Sequence, residues 1–347
     1  MSQQRSMCAT GEGRGVGEPY FFVVGENLVD LIVDEEGGVV AVPGGGPFNV
    51  ARTAARLGQP TMFFSGISSD TFGRIVRNSL LDDQVRMVMD VPVQRPTSLA
   101  IVDLDQGSPE YLFHLENTAA FQLEASVALA CMDQVGDDVA ALYLGTLGLL
   151  IEPLASTGEA MCRAASPSTL VIVDPNCRPN AIRDEAVYRE RLARLYRRAD
   201  VVKVSTEDLN YLFPGVDHAI AAYRIIAQGP SCVIITDGAS HVRVVVGDQI
   251  LRIEVPVIDI VDTIGAGDAL VGGFVAWWIG HGLGRFELQH VDQVAAAVSA
   301  AVAIAALTCR RHGAQAPHPK ELGDYPCWDW LEHRAGEIRF AERVRAF

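Results

Sequence analysis

Asp262-Thr263-Ile264-Gly265-Ala266-Gly267-Asp268 is a glycine-rich turn set between two apolar stretches. Ile250 to Ile260 before it predicts a strand, and Ala269 to Ile279 after it predicts a helix. A turn that opens a helix leaves backbone N–H groups without partners at the positive end of the helix dipole, which makes an anion site. Gly265 and Gly267 lack Cβ, so a phosphate can approach the backbone. Asp268 adds a carboxylate beside that site. Two adjacent anions repel, so the carboxylate suits a different task, such as accepting a proton from an attacking hydroxyl. The competing reading makes Asp268 a plain helix cap. No Gly-Lys-Ser/Thr follows, so the stretch is not a P-loop.

Upstream, Tyr20–Val33 reads as one strand. An acid inside such a run is costly without water, a partner or a ligand, which makes Asp30 a candidate for holding hydroxyls or a carboxylate on an exposed face. Pro43-Gly44-Gly45-Gly46-Pro47-Phe48-Asn49 follows, and its successive glycines let a ligand lie against the backbone. Asn49 enters a helix, Val50 to Leu57, stopped by Gly58. It is a cap in one reading and, beside Gly45, a partner for a sugar hydroxyl in the other. Thr97–Leu104 and Glu110–Leu115 alternate around Asp105-Gln106-Gly107-Ser108-Pro109 and predict a hairpin. With a short strand near 34–44 it forms a small sheet over a site, a lid drawn from about 34–44 and 92–116.

Thereafter strands at 139–144, 169–174, 200–204 and 231–236 alternate with helices, which predicts an α/β fold with a mainly parallel sheet covered on both faces. Ligands in such sheets sit at the carboxyl ends of the strands. The polar groups there are Asp174, Asn176 and Arg178; Lys203, Ser205, Glu207 and Asp208; and Thr236 and Gly238. Val294–Leu307 is an Ala-rich helix before a basic loop that reaches Gly313. Its small side chains suit a neighbouring helix or a flat purine.

The chain has 347 residues, 49% hydrophobic, enough for one large domain and an appended piece. A formal charge of −15 argues against nucleic acid or an anionic membrane as partner. Seven cysteines without a CxxC suggest neither a disulfide framework nor a zinc site, and fit reduced thiols in a cytoplasm. The first apolar run, Tyr20 to Val24, is too short for a signal peptide or a membrane span. Residues 1–18 are expected to be a disordered tail, 19–317 the main domain, and 318–347 a C-terminal extension with no assigned role.

Two stretches together carry a resemblance: Gly44-Gly45-Gly46-Pro47-Phe48-Asn49-Val50-Ala51 through Gly58, and Asp262 through Asp268. From about Phe21 to Ala316 the chain resembles the ribokinase-like (PfkB) family of sugar kinases. The resemblance implies a three-layer α/β/α domain with a small β lid, and transfer of the ATP γ-phosphoryl group to a primary sugar hydroxyl with magnesium. A monovalent cation such as K+ is compatible with this reading, and an exposed edge of the lid sheet offers a surface for pairing as a homodimer. By the same resemblance Asp268 is the base, and Gly265, Ala266 and Gly267 form the anion hole. Asp30, Gly45 and Asn49 hold the sugar. Lys203, Ser205, Thr236, Gly238, Gly265, Gly267 and Gly313 line the nucleotide site. Asp174, Asn176 and Arg178 match the family's D-x-N-x-R run near the phosphates and the metal. The family's N-x-x-E metal motif falls on Ser205 to Asp208, so Glu207 or Asp208 would place magnesium through water. His241 stands where a glycine is usual.

Leu112 to Ala120 and Leu144 through Pro153 resemble bacterial fructokinase-type members most. Kinases of 2-keto-3-deoxygluconate, ribose or a nucleoside are the alternatives. A keto-acid needs a basic lid partner, and the hairpin offers only His114, just after Arg95. A sugar sensor without catalysis would keep Asp30 and Asn49 but lose the base or the anion hole. Both are present.

Overall fold

Six strand segments, Tyr20–Val24, Thr61–Phe64, Val139–Gly145, Leu170–Asp174, Val201–Ser205 and Cys232–Thr236, carry apolar residues on both faces and are buried along nearly their whole length, so they need a helical layer on each side. The computed structural model describes residues 19–33, 37–89, 91–103, 110–323 and 325–328. The expected tail, the hairpin tip 105–109 and the far end of the C-terminal extension lie outside the described residues.

In chain order the elements begin with β1 (Tyr20–Val24), β2 (Leu28–Val33), β3 (Val39–Gly44), α1 (Gly46–Arg56), β4 (Thr61–Phe64), α2 (Thr71–Asp82) and β5 (Arg86–Met87). Then come β6 (Leu99–Asp103), β7 (Glu110–His114), α3 (Ala125–Val135), β8 (Val139–Gly145), α4 (Leu154–Ala164), β9 (Leu170–Asp174) and α5 (Glu185–Tyr196). The last are β10 (Val201–Ser205), α6 (Thr206–Leu212), α7 (His218–Ile226), β11 (Cys232–Thr236), β12 (His241–Val246), β13 (Gln249–Glu254), α8 (Ala266–Gly280) and α9 (Val291–Cys309).

Among the described residues the main sheet has nine strands in the order β13-β12-β11-β10-β9-β8-β1-β4-β5. From β11 to β5 all pairs are parallel, while β12 and β13 run antiparallel at one edge. Phe21 and Val23 point into one core with α1, α2, α8 and α9. Phe22 and Val24 point into the other with α3 to α7. The expected three layers follow, and each large side chain so buried contributes about 1.5–3 kcal/mol. The small sheet has the order β3-β2-β6-β7.

Two expectations are corrected. Tyr20–Val33 is not one strand: β1 belongs to the main sheet and β2 to the small one. Gly25-Glu26-Asn27 makes the crossing, and Asn27 Nδ2 pins it by donating to Ser65 Oγ at 2.9 Å and to the Gly66 carbonyl at 2.8 Å. Asp30 therefore sits on the lid, next to Val42 and Ala100. The run Ile250–Ile260 is likewise not a strand feeding the glycine turn. β13 ends at Glu254, and Pro256 has no N–H to extend the ladder. Val257, Ile260 and Val261 are exposed. The β12–β13 hairpin carried a readable signal, Gly247-Asp248 between two alternating runs.

Helix α8 is apolar around its whole circumference because it lies between α1 and α9. Gly272 permits the closest approach: a Cβ there would meet Thr53 Cβ at 2.6 Å and the Val50 carbonyl at 2.9 Å. The Ala-rich α9 packs against α8. The segment after it also joins the core, since Trp328 is buried and its Nε1 donates to the Ala300 carbonyl at 3.1 Å.

Candidate active site

The glycine turn and the triple-glycine loop meet at the N-terminal ends of two packed helices, α1 and α8. Gly265, with φ 76°, is the N-cap of α8, so Asp268 is in the first turn and not a cap. Asn49 lies in the first turn of α1, whose N-cap is Gly45, so it is not a cap either. Its Nδ2 donates to Asp268 Oδ2 at 2.9 Å. The plain-cap reading fails for both residues. Asn49 Oδ1 is buried and accepts from no described protein group, which leaves it to receive a ligand hydroxyl.

Asp268 is only 8% exposed. Burial raises its pKa, while the Asn49 bond and the charges of Lys203 and Arg178 oppose that rise. A Cβ on Gly46 would come within 3.3 Å of Asp268 Oδ1, so the glycines there keep the approach to that oxygen open. Asp30 is pushed up to about 7 by burial and by the Asp268 charge. A Cβ on Gly44 would lie 2.3 Å from Asp30 Oδ2. Gly44 and Gly46 thus flank the two acids.

On the anion side, the Ala266 N–H leans on the Thr263 carbonyl at 3.3 Å. The Gly267 N–H has no acceptor among the described residues and is the freer donor. Lys203 Nζ lies beneath it, 2.9 Å from where a Gly267 Cβ would stand. The ammonium pairs with Asp174 at 3.1 Å, both side chains buried. Burial alone would lower the Lys203 pKa, but Asp174, Asp208 and Asp268 outweigh it and raise it. Burial raises Asp174 to about 6 against the pull of Lys203. A fixed cation therefore backs the helix N-terminus.

The remaining rim residues differ in freedom. Asp208 is buried and bonded to the backbone: Cys177 N donates to it at 2.6 Å and Ser205 N at 2.8 Å. With the Ser205 hydroxyl it forms a capping box, so the two departures from the family pattern complement each other. Glu207 is exposed. Asn176 has φ 36°, and half-buried Arg178 donates to the Cys177 carbonyl at 3.2 Å. Thr236 ends β11, and Gly238, with φ 51°, turns the chain towards β12, which His241 begins. Gly313 donates its N–H to Asp262 Oδ2 at 2.8 Å, while Asp262 Oδ1 takes the Ile264 N–H at 2.9 Å. Asp262 thus shapes the turn from within. Among the described residues no three His, Cys, Asp or Glu side chains converge as a metal cage. A cation here would rest on water and on ligand oxygens.

Sequence reading missed Glu26 and Thr146. Glu26 is 1% exposed, and its carboxylate takes the Thr146 hydroxyl and, at 2.8 Å, the Gly148 N–H. Burial pushes it up to about 7. The readable signal was an acid beside a glycine inside an apolar run. A separate cavity of about 1190 Å³ opens between the lid (Ile101, Phe113, Leu115) and the body (Leu150, Ile182), and none of the Asp268 cluster lines it.

Residues 19–321 match the profile of the pfkB family carbohydrate kinases. The chain is 33% identical over 256 residues to a fructokinase of Rhizobium leguminosarum bv. trifolii, covering 73% of this chain and 77% of that protein. It superposes on Xylella fastidiosa fructokinase with bound ATP at a TM-score of 0.78 and 25% identity, covering 86% and 94% of the two chains. Against Vibrio cholerae O395 fructokinase in its fructose, ADP and calcium ion bound form, the TM-score is 0.69 and the identity 27%, again covering 86% and 94%.

Proposed function

Because the chain belongs to the pfkB family of carbohydrate kinases, we propose that it transfers the γ-phosphoryl group of ATP to a primary hydroxyl of D-fructose. It is a phosphotransferase acting on a sugar hydroxyl. The observation that carries the finer reading is the Asn49–Asp268 pair, whose buried carboxylate follows the Gly267 N–H at the N-terminus of α8.

Asp30 and the Asn49 carbonyl bind acceptor hydroxyls, and Asp268 takes the proton from the attacking one. The acceptor oxygen then bonds to the γ-phosphorus as the bond to the β-phosphate oxygen breaks, and ADP leaves with that electron pair. The Gly267 N–H, the α8 dipole and the Lys203 ammonium face the transferring group. Oriented donors of this kind are worth about 3 kcal/mol each. Magnesium, when bound with the nucleotide, neutralises phosphate charge. Exposed Glu207 would hold it through water, since Asp208 is committed to two amides. Thr236, Gly238 and Gly313 border the nucleotide, and the lid carrying Asp30 excludes water.

Fructose is favoured by the fructokinase relatives and by a lid whose described strands bring only His114 as a base, which disfavours a keto-acid. The test supplies D-fructose, D-ribose, 2-keto-3-deoxygluconate and adenosine separately with ATP and magnesium and records ADP. Fructose should give the highest kcat/KM. A higher value with another acceptor reassigns the substrate, and no acceptor-dependent ADP with any of them turns the site into a sugar sensor.

A further inference from the structure

We infer that Glu26 is a positioning residue for the acceptor pocket, acting through Thr146 and the Gly148 amide on the wall beside Asp268. This rests on the sugar kinase reading above. β8 ends at Gly145, which has no room for a side chain: a Cβ there would lie 2.4 Å from Tyr143 Oη and 2.9 Å from the Asp174 carbonyl. The chain then turns at Thr146, a non-glycine residue with φ 56°, a conformation L side chains adopt at some cost. Glu26 holds it there, one carboxylate oxygen taking the Thr146 hydroxyl and the other the Gly148 N–H. The Thr146 methyl closes on α1: a Cβ at Gly46 would stand 2.6 Å from Thr146 Cγ2 and 3.3 Å from Asp268 Oδ1. The Glu26 carbonyl also lies 2.9 Å from where a Gly45 Cβ would be.

One residue thus borders two sides of the pocket, its main chain close against the glycine loop and its side chain holding the 146–148 turn. It does so without belonging to either signature stretch. A carboxylate accepts from both groups. A glutamine would keep the Gly148 N–H on its oxygen only by donating its own N–H to the Thr146 hydroxyl, which reverses that bond and turns the hydroxyl proton elsewhere. Because the Thr146 hydroxyl donates to Glu26, its free lone pair can only accept, which suits a neutral polyol. Neither Glu26 bond involves a residue assigned to the nucleotide.

The test compares wild type with Glu26→Gln, Thr146→Val and the double variant, using D-fructose as the probe. Reversing or losing this buried bond should raise the KM for fructose about ten-fold. The KM for ATP should stay within roughly two-fold, and the double variant should be no worse than the more severe single one. Without any ligand, amide exchange at residues 146–149 should speed up in Glu26→Gln and stay at wild-type rates in α1 and α8. Should Glu26→Gln not fold, Thr146→Val carries the same KM expectation. An unchanged KM for fructose, a matching rise in the KM for ATP, or multiplying effects in the double variant overturns the inference. A wild type inert with fructose strikes at the sugar kinase reading instead, and the exchange rates still decide the role of Glu26.

Discussion

Asn49 Nδ2 donates to Asp268 Oδ2 at 2.9 Å across 219 residues of chain, joining the first turns of α1 and α8. The bond spends one carboxylate oxygen on orientation and leaves Oδ1 facing the gap kept by Gly46. The chemistry assigned to the site depends on that second oxygen.

Asp268→Asn keeps the shape and removes the basicity. Its kcat should fall by about 10²–10⁴-fold, the range for a positioned general base, with an unchanged circular dichroism spectrum and thermal midpoint. Turnover near the wild-type rate in a folded variant would end the base assignment.

Burial raises the Asp268 pKa and the Asn49 bond opposes it, so Asn49→Ala should raise it further. The ionised form is the active one. Activity is therefore lost as pH falls through the Asp268 pKa, and the acid limb of the kcat/KM profile should lie at higher pH in Asn49→Ala. A limb that stays in place while kcat/KM drops would reduce Asn49 to a sugar contact.

Asp30 has its pKa raised from 3.8 to about 7 by burial and by the charge of Asp268. The folded chain therefore holds this proton more tightly than the unfolded chain does. The stabilisation is complete below about 3.8 and lost as pH rises through about 7. Asp30→Asn abolishes that loss. Its melting temperature relative to wild type should rise between pH 5 and pH 8, while its KM for fructose increases. A melting difference that does not change with pH would show the carboxylate to be well solvated.

Gly272→Ala places a methyl 2.6 Å from Thr53 Cβ and 2.9 Å from the Val50 carbonyl, so α1 and α8 must separate. Overpacking of this kind costs about 1–3 kcal/mol, which a urea midpoint will record. The same separation stretches the Asn49–Asp268 bond, so kcat should fall together with stability. A destabilised variant with full kcat would show that the helix spacing does not govern the site.

The sequence alone determined the layered α/β plan, because doubly buried strands and one-sided helices differ in the period of their apolar residues. It also marked Asp268, Asn49 and Asp30 as candidates, each with a helix-cap or exposed-face reading beside it, and the two glycine-rich stretches taken together tipped that balance. It did not reveal that Tyr20–Val33 crosses from one sheet to the other. The crossing is held by Asn27 on Ser65 and Gly66, partners 38 and 39 residues away that no local pattern links. The Pro256 break was legible but masked by the apolar residues around it.

Only the tertiary structure decided how far each polar group is free to act. Ser205 and Asp208 stand where the family's metal motif falls, and in the fold they close a capping box whose acid also takes the Cys177 amide. Glu26 looks like an ordinary acid in a strand and proves to be the holder of Thr146 and Gly148. Hydrogen-bond commitment and burial depend on distances between remote segments, and residue order carries those only after the chain has packed.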